Sequence, residues 1–450
     1  MRNAQMTDTS HRSVELIEIS KLKPAARNAR THSKRQIKQI ADSIRRFGFV
    51  NPILVDDENQ IVAGHGRVAA AKTLGMSKVP CLRLGKMTEA DKRAYVIADN
   101  KLALNAGWDL EILVGELEGL MQLGFEVELT GFELPEIDIL IDEAAQSSPD
   151  PVAPHDDCPE PTAQPVTRLG DRWILGRHAL ACGDAKDPEV VESLMDGRQA
   201  DMIFTDPPYN VPIEGHVSGL GGTHHREFLE ASGEMSSDQF THFLTQTLAA
   251  AAKACRDGAI AYVCMDWRHL GEILEAGKHA FSELKNICVW AKTNGGMGTF
   301  YRSQHEMVLV WKIGTAPHTN TFGLGDKGRY RTNVWSYAGV NTFKSERMAE
   351  LASHPTVKPV ALVADAIRDV SHRGQLVLDV FGGSGTTLIA AEKTGRSARL
   401  IEIDPLYCDV IIRRWQKLTG KKACLSGSNE TFEHLEHTRA TPFPTMEIAA

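Results

Sequence analysis

The chain has 450 residues, enough for two or three domains, and its 42% apolar and 24% charged residues exclude wholesale disorder. Fifty Lys and Arg against 58 Asp and Glu leave a net charge of -8. That excludes an evenly basic coat, though not a local basic surface for nucleic acid. No apolar run reaches the roughly 18 residues of a membrane span. The opening MRNAQMTDTSHRS lacks the apolar core of a signal peptide. The eight cysteines form no CxxC pair, which argues against a zinc ribbon or disulfide scaffold and fits a reducing cytoplasm. No His/Cys cluster has ligand spacing, so no metal is expected.

In chain order, VELIEIS (14–20) predicts a strand. A helix follows over Ser33–Phe47, with Ile37, Ile40 and Ile44 at spacings of three and four, and Gly48 ends it. PILVDDENQIVAG (52–64) predicts a hairpin with a polar turn. Arg67–Leu74 reads as a helix, VPCLRL (79–84) as a strand, and residues 88–144 as mostly helical. Residues 1–145 are thus expected to form a small α+β domain with a helical extension. Residues 146–166 hold six prolines and four acids but no Lys or Arg, which predicts an extended linker.

Residues 167–430 predict a second domain. Strands are expected at MIFT (202–205), AIAYVCM (259–265), KNICVWAK (285–292), MVLVWK (307–312), QLVLDVF (375–381) and SARLIEID (397–404). Helices are expected near 238–256, at 358–370 and after Gly385. This alternation argues a mostly parallel sheet covered on both faces, an α/β fold. Residues 431–450 lack periodicity and are expected to form a flexible tail.

Two motifs carry chemistry. In VLDVFGGSGTT (377–387) an apolar strand runs into a glycine turn and a helix. Glycines allow close backbone approach, and the helix start offers free N–H groups. Seventeen residues after Gly385, a second strand ends at Glu402, an acid able to accept both hydroxyls of a ribose. No GK[ST] follows, and Leu388 replaces the third glycine of GxGxxG. A nucleoside-bearing cofactor is the reading; a tight turn with a surface acid is the bland one. In TDPPYN (205–210) two prolines at a strand end make a rigid turn. The Asp206 carboxylate and the Pro207 carbonyl can then aim at one spot, beside the Tyr209 ring. Two acceptors and an aromatic face suit the exocyclic amine of a flipped base.

Together these motifs resemble the amino-group DNA methyltransferases that act on adenine N6 or cytosine N4. HPTVKP (354–359) is similar to their third signature. The order DPPY, HPTxKP, FGGSGTT resembles the permuted β group, over roughly residues 167–425. The resemblance implies a circularly permuted, Rossmann-like S-adenosylmethionine-dependent fold. It implies Asp206, Pro207, Pro208 and Tyr209 at the target amine. It implies Thr356, Lys358, Asp379, Phe381, Gly383, Gly385 and Thr386 around the cofactor, Glu402 on its ribose and Asp184 (in CGDA) on its adenine. Asp206 favours adenine, because cytosine-N4 enzymes of this family more often carry serine there. Cytosine N4, RNA as substrate, and a DNA-binding adaptor with a vestigial enzyme fold are the alternatives.

Between Lys285 and Arg347 there are nine basic residues and three acids, interleaved with Phe300, Tyr301, Trp335 and Tyr337. This pattern suits phosphate and stacking contacts. The permuted family places DNA recognition here, about 285–350. Arg302, Lys327, Arg329 and Arg331 are the candidate contacts to double-stranded DNA; the bland reading is a solvated basic loop.

LKPAARNARTH (22–32), IADSIRRFGFVNPILV (40–55) and IVAGHGRVAAAKTLG (61–75) resemble the ParB/sulfiredoxin-like fold. Arg30, His65 and Arg67 match its phosphate-clasping segments, although Val68 replaces a second arginine; a structural turn is the alternative. Enzymes of this permuted kind are often homodimers. The resemblance implies a cytoplasmic, nucleoid-associated protein of bacterial or phage origin, of the restriction-modification type.

Overall fold

The computed structural model describes residues 13–25, 30–85, 87–147, 159, 161–162, 164–211, 229–292, 295, 300–322, 331–337 and 357–439. The chain divides into two compact units, Met1–Ser148 and Pro149–Ala450.

The first unit opens with β1 (Val14–Glu18) and α1 (Lys34–Phe47). Ser33 caps α1 by accepting the Gln36 amide at 3.1 Å, and Gly48 ends it at φ 81°. β2 (Ile53–Val55) and β3 (Ile61–Ala63) form the expected hairpin. Gly64, at φ 103°, makes the left-handed entry to α2 (His65–Thr73), so that helix starts two residues before Arg67. β4 (Lys78–Arg83) completes a sheet of order β1-β4-β2-β3, whose apolar face buries Ile17, Ile53, Val55 and Val79. Then come α3 (Glu89–Asn105), α4 (Leu110–Gln122) and α5 (Leu134–Ser147). α4 and α5 pack around Leu117, Val127 and Ile137.

The second unit begins with a hairpin not foreseen from sequence, β5 (Arg172–Leu175) and β6 (His178–Cys182), turned at Gly176. Next are α6 (Pro188–Met195), β7 (Ala200–Thr205), α7 (Ser237–Lys253), β8 (Cys255–Met265) and α8 (Leu270–Ala280). β9 (Glu283–Ala291), β10 (His305–Lys312) and β11 (Val334–Ser336) follow. Then α9 (Val360–Val370), β12 (Leu376–Asp379), α10 (Thr386–Lys393) and β13 (Ser397–Glu402) build the cofactor-type half. α11 (Pro405–Thr419), β14 (Cys424–Leu425) and α12 (Phe432–Arg439) close the unit.

Its sheet runs β11-β9-β10-β8-β7-β12-β13-β6-β5-β14. The middle five strands, β8 to β6, are parallel, and antiparallel strands flank them. α6, α7 and α8 cover one face and α9, α10 and α11 the other. With both faces covered, the central strands are apolar throughout rather than alternating.

Two boundary expectations need correction. The tail is ordered through Arg439: the Phe432 ring packs 5.4 Å from Trp173, and Arg439 pairs with Asp171 and donates to the Val166 carbonyl at 2.8 Å. Eight residues show too little periodicity to be read alone; tertiary partners stabilise them. The linker is also shorter than expected. α5 runs through Ser147, and at the other end the Val166 and Thr167 amides donate to the Asp409 carboxylate at 2.7 and 3.0 Å. Residues 148–158, with three of its six prolines, lie outside the described residues, as do 440–450.

Phe432→Ala should therefore lower the stability of the second unit by about 3–5 kcal/mol. Urea unfolding followed by Trp fluorescence measures this, and an unchanged midpoint would show that α12 is dispensable.

Candidate active site

β7 and β12 are adjacent and parallel, with Met202 opposite Val377 and Ile203 opposite Leu378. From β7 the chain turns to α7 and β8 on one side; from β12 it turns to α10 and β13 on the other. Such a switch point opens a crevice at the carboxyl ends of the strands. The DPPY turn leaves β7 and the glycine turn leaves β12, so both line one cavity.

Asp379 joins the two turns. One carboxylate oxygen accepts the Thr205 hydroxyl at 2.9 Å and the Phe381 amide at 3.1 Å; the other accepts the Thr387 hydroxyl at 2.6 Å. Burial pushes this carboxyl up to about 7, against those three donors.

Gly383 and Gly385 adopt φ values of 49° and 81°. A Cβ on Gly385 would lie 3.0 Å from Ile411, so only glycine fits where the turn meets α11. The Gly383 amide donates to Glu402 at 2.7 Å, and the Asp404 amide to its other oxygen at 2.9 Å. Burial raises the Glu402 carboxyl to about 7 despite them. Buried Arg414 donates to the Ser384 carbonyl at 3.1 Å and the Thr386 hydroxyl at 3.2 Å, fixing the turn from behind. Phe381, Gly383, Thr386 and Glu402 line the cavity with Asp404 and Tyr407. Asp184 borders a smaller cavity that also touches Phe381 and Glu402.

In the DPPY turn, the Tyr209 hydroxyl donates to Asp206 at 2.7 Å. The ammonium of Lys358 lies 2.5 Å from the other Asp206 oxygen and 2.9 Å from Glu306. Lys292 holds the second oxygen of Glu306. Burial raises the Asp206 carboxyl, with Lys358 opposing. Burial also works against the Glu306 carboxylate, yet Lys358 and Lys292 bring it down to about 2. Burial disfavours the Lys358 charge too, but Asp206 and Glu306 hold its pKa above the ordinary lysine value.

The sequence reading missed Glu306 and Lys292. Glu306 counted there as a stray acid in a basic stretch; pairing of β9 with β10 brings it beside Lys292, and its contact with Tyr209 brings it to DPPY. Lys358, expected at the cofactor, lines the shared cavity and also pairs with the two carboxylates. Thr356 lies outside the described residues, with Lys327 and Arg329.

Arg331 also needs correction. Its guanidinium donates to Asp369 at 3.0 Å and the Tyr337 hydroxyl at 3.1 Å, and lies 5.1 Å over the Trp335 ring. Asp369 is buried, so this cation is committed to the fold rather than to phosphate. Arg302 is exposed beside Phe300 and Tyr301, whose rings are 88% and 81% exposed. In the first unit, Arg67 donates to the Asn51 and Pro52 carbonyls at 2.7 and 2.8 Å. His65 accepts the Ala25 amide at 3.2 Å, and burial lowers its pKa. Arg30 donates to the Asn100 carbonyl at 3.3 Å. These contacts tie the three side chains to the first unit's own backbone.

A DNA methylase family model matches residues 200–413. A ParB N-terminal domain model matches 3–100, and a ParB-methyltransferase helix-turn-helix model 111–169. The chain is an N6/N4-type DNA methyltransferase with a ParB-like N-terminal domain. It is S-adenosylmethionine-dependent, as that family is. The type II methyltransferase M2.MboI of Moraxella bovis is 26% identical over 231 residues, 49% of this chain and 81% of that protein. The ParB-like nuclease domain-containing protein YnaK of Escherichia coli K12 is 47% identical over 75 residues, 17% of this chain and 86% of that one. Among solved structures, M1.HpyAVI is 18% identical at TM-score 0.37, covering 52% of this chain and 96% of that one. The cytosine-N4-specific PvuII methyltransferase is 14% identical at TM-score 0.40, covering 62% and 94%. The helix-turn-helix match takes in α4 and α5, read from sequence only as a helical extension.

Because Arg331 pairs with a buried carboxylate, Arg331→Ala should cost about 3–5 kcal/mol of stability. The salt dependence of DNA binding should stay unchanged. A filter-binding salt titration showing one counterion fewer would return Arg331 to the DNA surface.

Proposed function

We propose that this enzyme methylates adenine at N6 in double-stranded DNA. The reading rests on one observation: the DPPY and glycine turns open into a single cavity from adjacent strands. The cavity fits the family's cofactor. It pairs a glycine cradle with an acid at the next strand end, Glu402, whose oxygens face backbone donors and the cavity. Phe381, Gly383 and Gly385 would admit the nucleoside closely, Glu402 would take the ribose hydroxyls and Asp184 the adenine. The cofactor supplies a sulfonium-activated methyl group. The chain's own part is to present the amine. The lone pair of an aromatic amine is delocalised into its ring. Hydrogen bonds accepted by Asp206 and the Pro207 carbonyl favour a pyramidal nitrogen with that lone pair directed at the methyl. Pro208 stiffens the turn and Tyr209 offers a stacking face. Asp206 in place of serine favours adenine over cytosine.

For DNA, Arg302 with exposed Phe300 and Tyr301 offers one cation and two stacking surfaces close to Glu306 in sequence. Both helices of the helix-turn-helix segment lie in a strongly acidic stretch. From Leu102 to Thr167 the chain has 15 Asp and Glu and no Lys or Arg, so the rest, from a total of -8, carries a net +7. A surface that acidic repels the duplex backbone.

Asp206→Ala should abolish methylation of unmethylated genomic DNA while leaving cofactor affinity nearly unchanged. Nucleoside mass spectrometry of the wild-type product should show N6-methyladenine; N4-methylcytosine alone would overturn the base assignment, and retained turnover in Asp206→Ala the catalytic one.

Glu402 binds hydroxyls best when ionised, and its carboxyl is raised to about 7. Cofactor affinity should therefore rise as pH increases through about 7. Glu402→Gln should flatten that rise, and Glu402→Ala should cost about 1.5–3 kcal/mol of binding. Calorimetric titration across pH is the measurement, and an identical pH profile in Glu402→Gln would exclude the role.

A further inference from the structure

Lys358 bridges two carboxylates from different parts of the fold. Its ammonium lies 2.5 Å from Asp206 Oδ2 and 2.9 Å from Glu306 Oε2. Tyr209 closes the ring: its hydroxyl lies 2.7 Å from Asp206 Oδ1 and 3.1 Å from Glu306 Oε2, and 3.1 Å from the Lys358 nitrogen. Lys292 pairs with the remaining Glu306 oxygen and lies 4.7 Å over the Trp290 ring. Lys358 and Glu306 are both largely shielded from solvent, at 6% and 16% side-chain exposure. Two anions and two cations cancel within the cluster, which makes its burial tolerable.

An acceptor for the target amine has to be ionised and has to offer a lone pair. Burial works against the first condition, and a neighbouring ammonium opposes that effect. The same ammonium threatens the second condition. With Asp206 as its only counter-charge, it would close fully on the carboxylate the amine needs. Glu306 supplies a second counter-charge on the far side of the lysine. It also offers an alternative acceptor for the Tyr209 hydroxyl.

We propose that Glu306 is a positioning residue for methyl transfer: it retains the Lys358 ammonium and the Tyr209 hydroxyl while Asp206 turns its oxygens to the incoming amine. No bond is made or broken by this exchange. The lysine keeps one anionic partner throughout, so no buried charge is stranded when the base enters. Lys292 keeps Glu306 ionised and fixes its far oxygen. The proposal rests on Asp206 as the amine acceptor.

The groups that face Asp206 give it a distinctive pH signature. They are Tyr209 from its own turn, Lys358 from the segment before α9, Glu306 from β10 with Lys292 behind it, Asp379 from β12 and Cys264 from β8. Glu306 raises the Asp206 pKa and Lys358 lowers it. Glu306→Gln should therefore move the acidic limb of the kcat profile to lower pH, and Lys358→Met should move it to higher pH.

The test uses the full chain, unmethylated genomic DNA and labelled S-adenosylmethionine. Glu306→Gln should lower kcat by about 10- to 100-fold, with cofactor Kd near the wild-type value, and Glu306→Asp should recover most of the rate. Wild-type turnover in Glu306→Gln would overturn the proposal. So would a loss of cofactor affinity as large as the loss of rate, because that marks a structural role. An acidic limb that does not move would overturn it as well. Asp206→Ala is run in parallel: if it stays active, the parent reading fails, whereas an inactive Asp206→Ala beside a fully active Glu306→Gln refutes only the role of Glu306.

Discussion

The Asp379 carboxylate is the contact on which the active-site geometry depends. It ends β12, yet it accepts a hydroxyl from Thr205 at the end of β7 and another from Thr387 in the first turn of α10. The turn that would hold the base and the turn that would hold the cofactor are thus tied through one buried group. A methyl transfer needs its two reactants aligned to within fractions of an ångström. Two loops held only by their own strands would drift independently. A shared acceptor removes that freedom, and the cost is a carboxyl whose burial raises its pKa to about 7.

Around this brace the site separates its charges. Asp206, Glu306, Lys358 and Lys292 form a neutral cluster beside the DPPY turn. Glu402 stands apart, satisfied by backbone amides at the start of the next loop. Buried acids serve different ends according to their donors. An acid facing two ammonium groups is brought down, as Glu306 is by Lys358 and Lys292. An acid facing only amides and hydroxyls has its pKa raised toward neutrality, as Glu402 and Asp379 do. Catalysis and cofactor binding are therefore expected to respond differently to pH.

Charge is also divided along the chain. The 66 residues from Leu102 to Thr167 carry only negative charge, and they include both helices of the helix-turn-helix match. A helix pair with no Lys or Arg of its own offers no side-chain cation to neutralise phosphate. In the ParB-like unit, Arg67 and His65 keep the positions that the motif predicts, and each bonds local backbone through one of its nitrogens.

Much of this protein was legible in its sequence because the decisive features are local. A glycine turn between an apolar strand and a helix, two prolines after a strand, and an acid at the next strand end each declare themselves within a dozen residues. Sequence pattern was enough to find α1, the β2–β3 hairpin and four of the five parallel core strands, all but β6. Features that depend on distant partners were not legible. α12 is stable only because Phe432 meets Trp173 and Arg439 meets Asp171. Arg331 reads as a surface cation until Asp369, 38 residues away, proves to be buried against it. Lys358 and Glu306 are 52 residues apart, and Lys358 is 152 from Asp206. Sequence by itself determined the chemistry, since residue types in short order decide which groups can accept an amine or cradle a nucleoside. Only the tertiary structure decided which charges neutralise one another, because that depends on which strands and loops the sheet order brings within hydrogen-bond distance.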